Sequence, residues 1–261
     1  MNAADSAQSN GASMAAELRE AIEKHRLQLY YQPIVSLVDR VASEVEALPR
    51  WPRDDRQILA PPDFIGVAVE FGLLADLERW AIEAAFEQLS RWRHVTDVDM
   101  SLNLSEHHLY ETQLTDEIRT AAASRDVAPG RLSLEVAETA LIEAAGERLA
   151  HLEELRQIGV GLTIHDYSGA LPADRLGELP IGALKISRQV VAGIPDSPRS
   201  NQTASTGIGR ARELGLKVIA NGIESPGQLA ALREMGCEYG QGFLFSVPMP
   251  AEVLAERALP R

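Results

Sequence analysis

Hydrophobic residues in this chain fall into short runs, most of them closed by a polar side chain and separated by stretches with helical spacing. LQLYYQPIV (27–35) predicts a first strand, stopped by Pro33. VASEVEALPRW (41–51) predicts a second, ended by Pro49. Further strands are expected at 99–104, 132–136, 161–164, 183–186, 217–220 and 242–245. Helical spacing covers 14–25, with Leu18, Ile22 and His25 on one side, and 62–92, with a break near Gly72. It returns at 110–124, at 141–157 with Gly159 as its C-terminal cap, and at 201–214. Ser225-Pro226 reads as an N-cap followed by proline at the first helical position. Residues 53–62 read as a loop.

Eight strands interleaved with helices predict an α/β fold, a TIM-like (β/α)8 barrel in a single domain. An open doubly wound sheet is the alternative, but it gathers polar residues at one switch point rather than from nearly every strand. Here Glu46, Asn103, Glu135, Asp166, Lys185, Asn221 and Gln241 each stand at or near the end of a separate run. A parallel barrel rings the C-terminal ends of its strands around one mouth, so these seven groups are expected to form one site.

The remaining features narrow the setting. A hydrophobic share of 45% in 261 residues supports a sizeable core. The formal net charge of -13 argues against a nucleic-acid polymer or an anionic membrane as partner, though a locally basic pocket can still take a small anion. No run is long enough for a membrane span. Residues 1–13, small and polar, are expected to be a disordered tail or linker remnant ahead of a barrel domain over 14–261. The single Cys237 excludes an intramolecular disulfide and reads as a small buried hydrophobe in a reducing, cytoplasmic setting. His107 and His108 are adjacent, do not face each other on a helix, and read as ordinary surface. Trp51, Trp80 and Trp92 read as packing residues.

Six motifs then share an order and spacing with one family. They are YQPIV (31–35), EALPRW (46–51), NLS (103–105), LEVAET (134–139), LKI (184–186) and QGFLFSVPMP (241–250). Over roughly residues 18–250 the chain resembles the EAL domain, the family of cyclic di-GMP phosphodiesterases and their non-catalytic relatives. The resemblance implies Glu46, Asn103, Glu135 and Asp166 as metal ligands, with Asp166 and Lys185 at the catalytic centre. It implies that Gln32, Leu48 and Arg50 contact the dinucleotide, with Arg50 on a phosphate. Gln241 would complete the rim and Glu138 would brace the neighbouring loop. Hydrolysis of a phosphodiester needs an activated water and neutralised phosphate charge, and two divalent cations on carboxylates supply both. Hard Mg2+ or Mn2+ prefers such oxygen donors.

The departures from the family pattern cluster. His165-Asp166 stands where the family has two consecutive Asp, and an imidazole is a poor substitute for a bridging carboxylate. Asn221 replaces a glutamate and cannot act as a base. Residues 166–170 read Asp-Tyr-Ser-Gly-Ala in a loop one residue shorter than usual, Ser187 replaces an Asp, and Val69 a Glu. His165 itself reads as a satisfied, non-liganding histidine, with a softer metal such as Zn2+ as the other reading. Three of these changes converge on the second metal and its water. The expectation is a degenerate EAL domain: a non-catalytic cyclic di-GMP receptor or signalling module holding one Mg2+ or Mn2+ weakly or not at all. A protein-interaction module that no longer binds nucleotide and a slow metal-dependent phosphodiesterase are the alternatives. A protein partner and a homodimer are both left open.

Overall fold

The computed structural model describes residues 3–53 and 57–257. Among the described residues, nine strands form one sheet. They are β1 (Gln28–Ser36), β2 (Ala42–Pro52), β3 (Ile58–Leu59), β4 (Asp99–Leu104), β5 (Leu132–Ala137), β6 (Gly161–Tyr167), β7 (Ala183–Ile186), β8 (Lys217–Asn221) and β9 (Tyr239–Gln241). β1 pairs with both β2 and β9, which closes an eight-stranded ring, while β3 extends β2 outside it. Helices follow the strands, so the architecture is the expected TIM-like barrel.

The barrel is not wholly parallel. β1 runs antiparallel to both neighbours, whereas β2 and β4 to β9 are parallel in succession. A tight turn joins β1 to β2, which permits only antiparallel pairing. Asp39 Oδ1 accepts the Val41 amide at 3.1 Å in this turn, and Arg40 takes a left-handed conformation.

Neither proline stops its strand. The Tyr31 amide donates to Met249 at 2.8 Å, on the side away from β2. Pro33, two residues on, lacks its N–H on that same side, before the pairing with β9 begins at Val35. Pro49 likewise lies beyond Ala47, where the pairing of β2 with β4 ends. The last strand lies earlier than expected, at Tyr239–Gln241 instead of 242–245, because the chain turns at Gly242. The amides of Phe245 and Ser246 both return to the Gly242 carbonyl. β6 continues three residues beyond the expected 164, with an irregular register between Ile164 and Tyr167.

Helix α1 spans Ala3–Glu23, so most of the segment expected to be a disordered tail has helical backbone. Ala3, Ala4, Ala7 and Ala12 favour that state, and no proline interrupts it. α2 (Pro61–Glu70) and α3 (Leu74–Trp92) are divided at Gly72, as expected. A short helical turn precedes each of the next two expected helices: α4 (Glu106–Leu109) before α5 (Leu114–Ala123), and α6 (Glu138–Leu141) before α7 (Glu147–Gln157). The expected loop at 53–62 contains β3, and its residues 54–56 lie outside the described residues. Ser225 and Gln228 form a capping box at the start of the Pro226–Glu234 helix. No helix among the described residues is long and apolar enough to cross a membrane.

Period-two alternation divides the strands into two layers. Leu102, Leu134, Ile164, Leu184 and Val218 join the large core shared with the helices, together with all three tryptophans and Cys237. Burial pushes the Cys237 thiol up to about 12. Ile34, Ala183 and Ile219 form a separate plug with Tyr239. The alternate positions that share this parity are Asn103, Glu135, His165, Lys185 and Asn221.

Candidate functional site

Six strands deliver one buried hydrogen-bonded cluster. Lys185, at the end of β7, is fully buried, and its Nζ donates to Glu46 Oε2 and to both Glu135 carboxylate oxygens, each at 2.8 Å. Asn103 Nδ2 donates to Glu46 Oε1 at 2.6 Å. Gln241 Nε2 donates to Glu46 Oε2 at 2.7 Å and to Gln32 Oε1 at 2.8 Å. Gln32 Nε2 then donates to the Ser246 carbonyl at 2.9 Å, tying β1 to the turn after β9. Ser101 Oγ donates to Glu135 Oε1 at 2.7 Å. Ser101 was not among the residues expected here, although its two-residue offset from Asn103 puts it on the same face of β4.

One ammonium serves two buried carboxylates. Burial opposes the charge on Lys185, but Glu135 and Glu46 outweigh it and raise the lysine above its ordinary value. Burial also pushes Glu46 upward, yet Lys185 and the amides of Gln241 and Asn103 hold its carboxyl below the usual range. Glu135 is raised, by burial first and then by the charge of Glu46.

Asp166 does not join this cluster. The bulge in β6 gives it a left-handed φ of 56°, and its carboxylate lies 3.3 Å from His165 Nδ1. That contact, ahead of any other cause, lowers the Asp166 carboxyl. Asp166 thus stands at the rim, bonded to its neighbour rather than to Glu46, Asn103 or Glu135. Asn221 ends β8 beside Gln241, in register with it.

Leu48, Asn103 and His165 line a cavity of about 300 Å³, together with Phe64, Leu77 and Leu104. Arg50 lies farther along β2, half-buried, with its guanidinium 5.4 Å from the Tyr30 ring and Nη1 bonded to the Pro49 carbonyl at 2.9 Å. It forms no ion pair among the described residues; the carboxylates of Glu46 and Asp63 act on its charge from a distance. Glu138 holds the loop after β6, accepting the Ser168 amide and hydroxyl at 2.8 Å each and the Leu171 amide at 2.7 Å.

The oxygens of Glu46, Asn103 and Glu135 suit a hard cation, and their two carboxylates outnumber the single ammonium. A second cation finds an imidazole at 165 and an amide at 221. Among the described residues, no three His, Cys, Asp or Glu side chains converge to hold an ion. The donor set thus fits one cation in chemistry and offers no carboxylate at 165 or 221 for a second.

Gly242 seats the end of this site. A Cβ there would overlap the backbone of Ile223, which cannot yield as a flexible side chain can. Gly242→Ala is expected to cost about 2 kcal/mol or more of folding stability, measured by urea denaturation. Unchanged stability would show that the turn tolerates a side chain.

The likeness to known proteins extends over almost the whole chain. Residues 15–248 match the EAL domain. Cyclic di-GMP phosphodiesterase NbdA of Pseudomonas aeruginosa is 38% identical over 247 residues, covering 93% of this chain and 31% of that protein. Signaling protein YkoW of Bacillus subtilis is 34% identical over 237 residues, covering 90% of this chain and 30% of that protein. The chain spans about a third of the length of these curated relatives. The solved PaMucR phosphodiesterase in its c-di-GMP complex superposes with a TM-score of 0.88 at 32% identity, covering 93% of this chain and 99% of that one. The Xanthomonas citri FimX EAL domain, solved with c-diGMP, is 20% identical at a TM-score of 0.87 over 94% of this chain and 97% of that one, and shares the fold. The barrel, the cluster at its mouth and the length of the match agree: this chain belongs to the EAL domain family.

Proposed function

We propose that this EAL domain is a receptor for cyclic di-GMP in bacterial second-messenger control, with little or no hydrolysis of its ligand. The observation that carries the reading is the division of the mouth. On one side the half-buried Arg50 forms no ion pair among the described residues, in a chain of net charge -13, and stands near the intact cluster of Glu46, Asn103, Glu135 and Lys185, whose Glu46 carboxylate acts on its charge. On the other, His165 is engaged with Asp166, and Asn221 offers an amide. The first side supports binding of a phosphate-bearing ligand, with Gln32, Leu48 and Gln241 around it. The second lacks the carboxylates with which a pair of cations would be held and a water activated.

At most one Mg2+ or Mn2+ would be held, through Glu46, Asn103 and Glu135, with Asp166 at the rim. Such an ion would neutralise ligand charge when bound. The retained contacts of Lys185 also favour a second reading, a slow metal-dependent phosphodiesterase.

Arg50→Ala is the direct test. Loss of a charge-assisted contact worth about 2 kcal/mol lowers affinity for cyclic di-GMP by roughly thirtyfold. Unchanged affinity in that variant removes the role given to Arg50. If the parent chain binds no nucleotide but retains a stoichiometric protein partner without it, the interaction-module reading replaces this one.

A further inference from the structure

The end of β4 is also gripped from outside the barrel, by a buried chain of groups that the mouth chemistry does not use. Glu78 on α3 accepts the Ser105 amide at 2.7 Å and the Ser105 hydroxyl at 2.8 Å. Its Oε2 lies 3.2 Å from His108 Nδ1 on α4. His108 Nε2 lies 3.1 Å from Glu117 Oε2 on α5, and Arg79 Nε donates to Glu117 Oε1 at 2.8 Å. The His108 side chain has no solvent exposure, against the surface position expected from sequence. Of the adjacent pair only His107 is exposed, because α4 starts at its Ser105 cap and turns His108 inward against α3.

The geometry favours one protonation state. A neutral imidazole offers one N–H and one lone pair. Between two carboxylates it would set a lone pair against an acceptor, whereas the imidazolium donates to both. With that proton, His108 and Arg79 balance Glu78 and Glu117; without it, the chain holds buried negative charge in excess. The other charged groups around it are Asp76, bonded to Arg79 at 2.9 Å, and Glu111, which is 3.9 Å from Arg79 and 3.1 Å from His107. β5 packs against α4 too, but its Glu135 is bonded to Lys185 inside the barrel. Burial opposes the imidazolium, yet the two glutamates outweigh it and hold His108 above its ordinary value.

Ser105 follows Asn103 by two residues, and Asn103 bonds Glu46 in the mouth. We propose that doubly protonated His108 is a positioning residue for this mouth: it fixes Glu78 on Ser105 and thereby Asn103 on Glu46. Loss of its proton loosens that corner. The consequence for ligand rests on the receptor reading; the linkage between His108 and Asn103 does not. Because the folded value is raised, the stabilisation is complete below the unfolded histidine value of about 6.5 and is lost as pH rises through the folded one.

The test is a side-chain NMR titration of His108 and Asn103 in the nucleotide-free chain, from about pH 6 to about pH 9. Both ring nitrogens of His108 are expected to carry protons at the low end. The Asn103 amide signal is expected to shift with the same midpoint as His108, and to stay level in His108→Gln, which does not titrate. An Asn103 signal that is flat in the parent chain, or that shifts equally in His108→Gln, overturns the proposal; the first outcome needs no variant to fold. Cyclic di-GMP affinity, measured alongside, is expected to fall over the same interval in the parent chain only. Absence of nucleotide binding at every pH removes the receptor reading and leaves the linkage to be judged by the Asn103 signal.

Discussion

Lys185→Met is expected to lower folding stability by roughly 3–5 kcal/mol, among the largest losses available to a single substitution here. The methionine fills a similar volume but leaves Glu46 and Glu135 buried with no counterion. The pH dependence identifies the cause. Without the ammonium, desolvation raises both carboxyls in the folded state above their unfolded value of about 4.3. The folded state then binds more protons than the unfolded one, so the deficit grows as pH rises from that value. Urea denaturation of the two proteins at pH 5 and pH 8 measures it. A variant as stable as its parent at both pH values would show that the lysine does not balance this pair.

The second large effect is a gain. His165→Asp combined with Asn221→Glu places two carboxylates at the ends of β6 and β8, on the poorer side of the mouth. Hydrolysis of cyclic di-GMP with Mn2+ is expected to rise by at least about a hundredfold, the usual scale of a restored acid–base or metal contribution. Stability offers an independent readout. The added carboxylates increase negative charge beside Glu46 and Glu135, so the metal-free variant is expected to melt below the parent. Saturating Mn2+ is expected to recover that loss through binding to the folded state. No gain in either measurement means that the defect lies elsewhere, in the loop pinned by Glu138 or at Ser187.

Much of this was legible in the sequence, for identifiable reasons. Alternating strands and helices predicted the barrel, and the polar residues closing the hydrophobic runs marked Asn103, Glu135 and Lys185 as residues of its mouth. Glu46, Gln32 and Gln241 came with the motifs. The reversal of β1 was hidden because the turn before Val41 contains neither glycine nor proline; Arg40 supplies the left-handed residue. Pro33 and Pro49 read as stops because composition does not show which side of a strand lacks a partner. Asp166 stands apart from the cluster because a one-residue irregularity in β6 turns it to the rim, and such bulges leave no mark in hydrophobic periodicity. His108 was missed for a related reason. The spacing rule says that adjacent helical residues point apart, but not which of the two faces the core.

As proposed, this chain holds cyclic di-GMP without turning it over. The most direct measurement is a calorimetric titration of cyclic di-GMP into the protein with Mg2+ present, followed by chromatography of the cell contents. The predicted result is saturable heat that returns to baseline after each addition, with the cyclic dinucleotide recovered intact. Sustained heat accompanied by linear dinucleotide, or no heat at high ligand concentration, would contradict it.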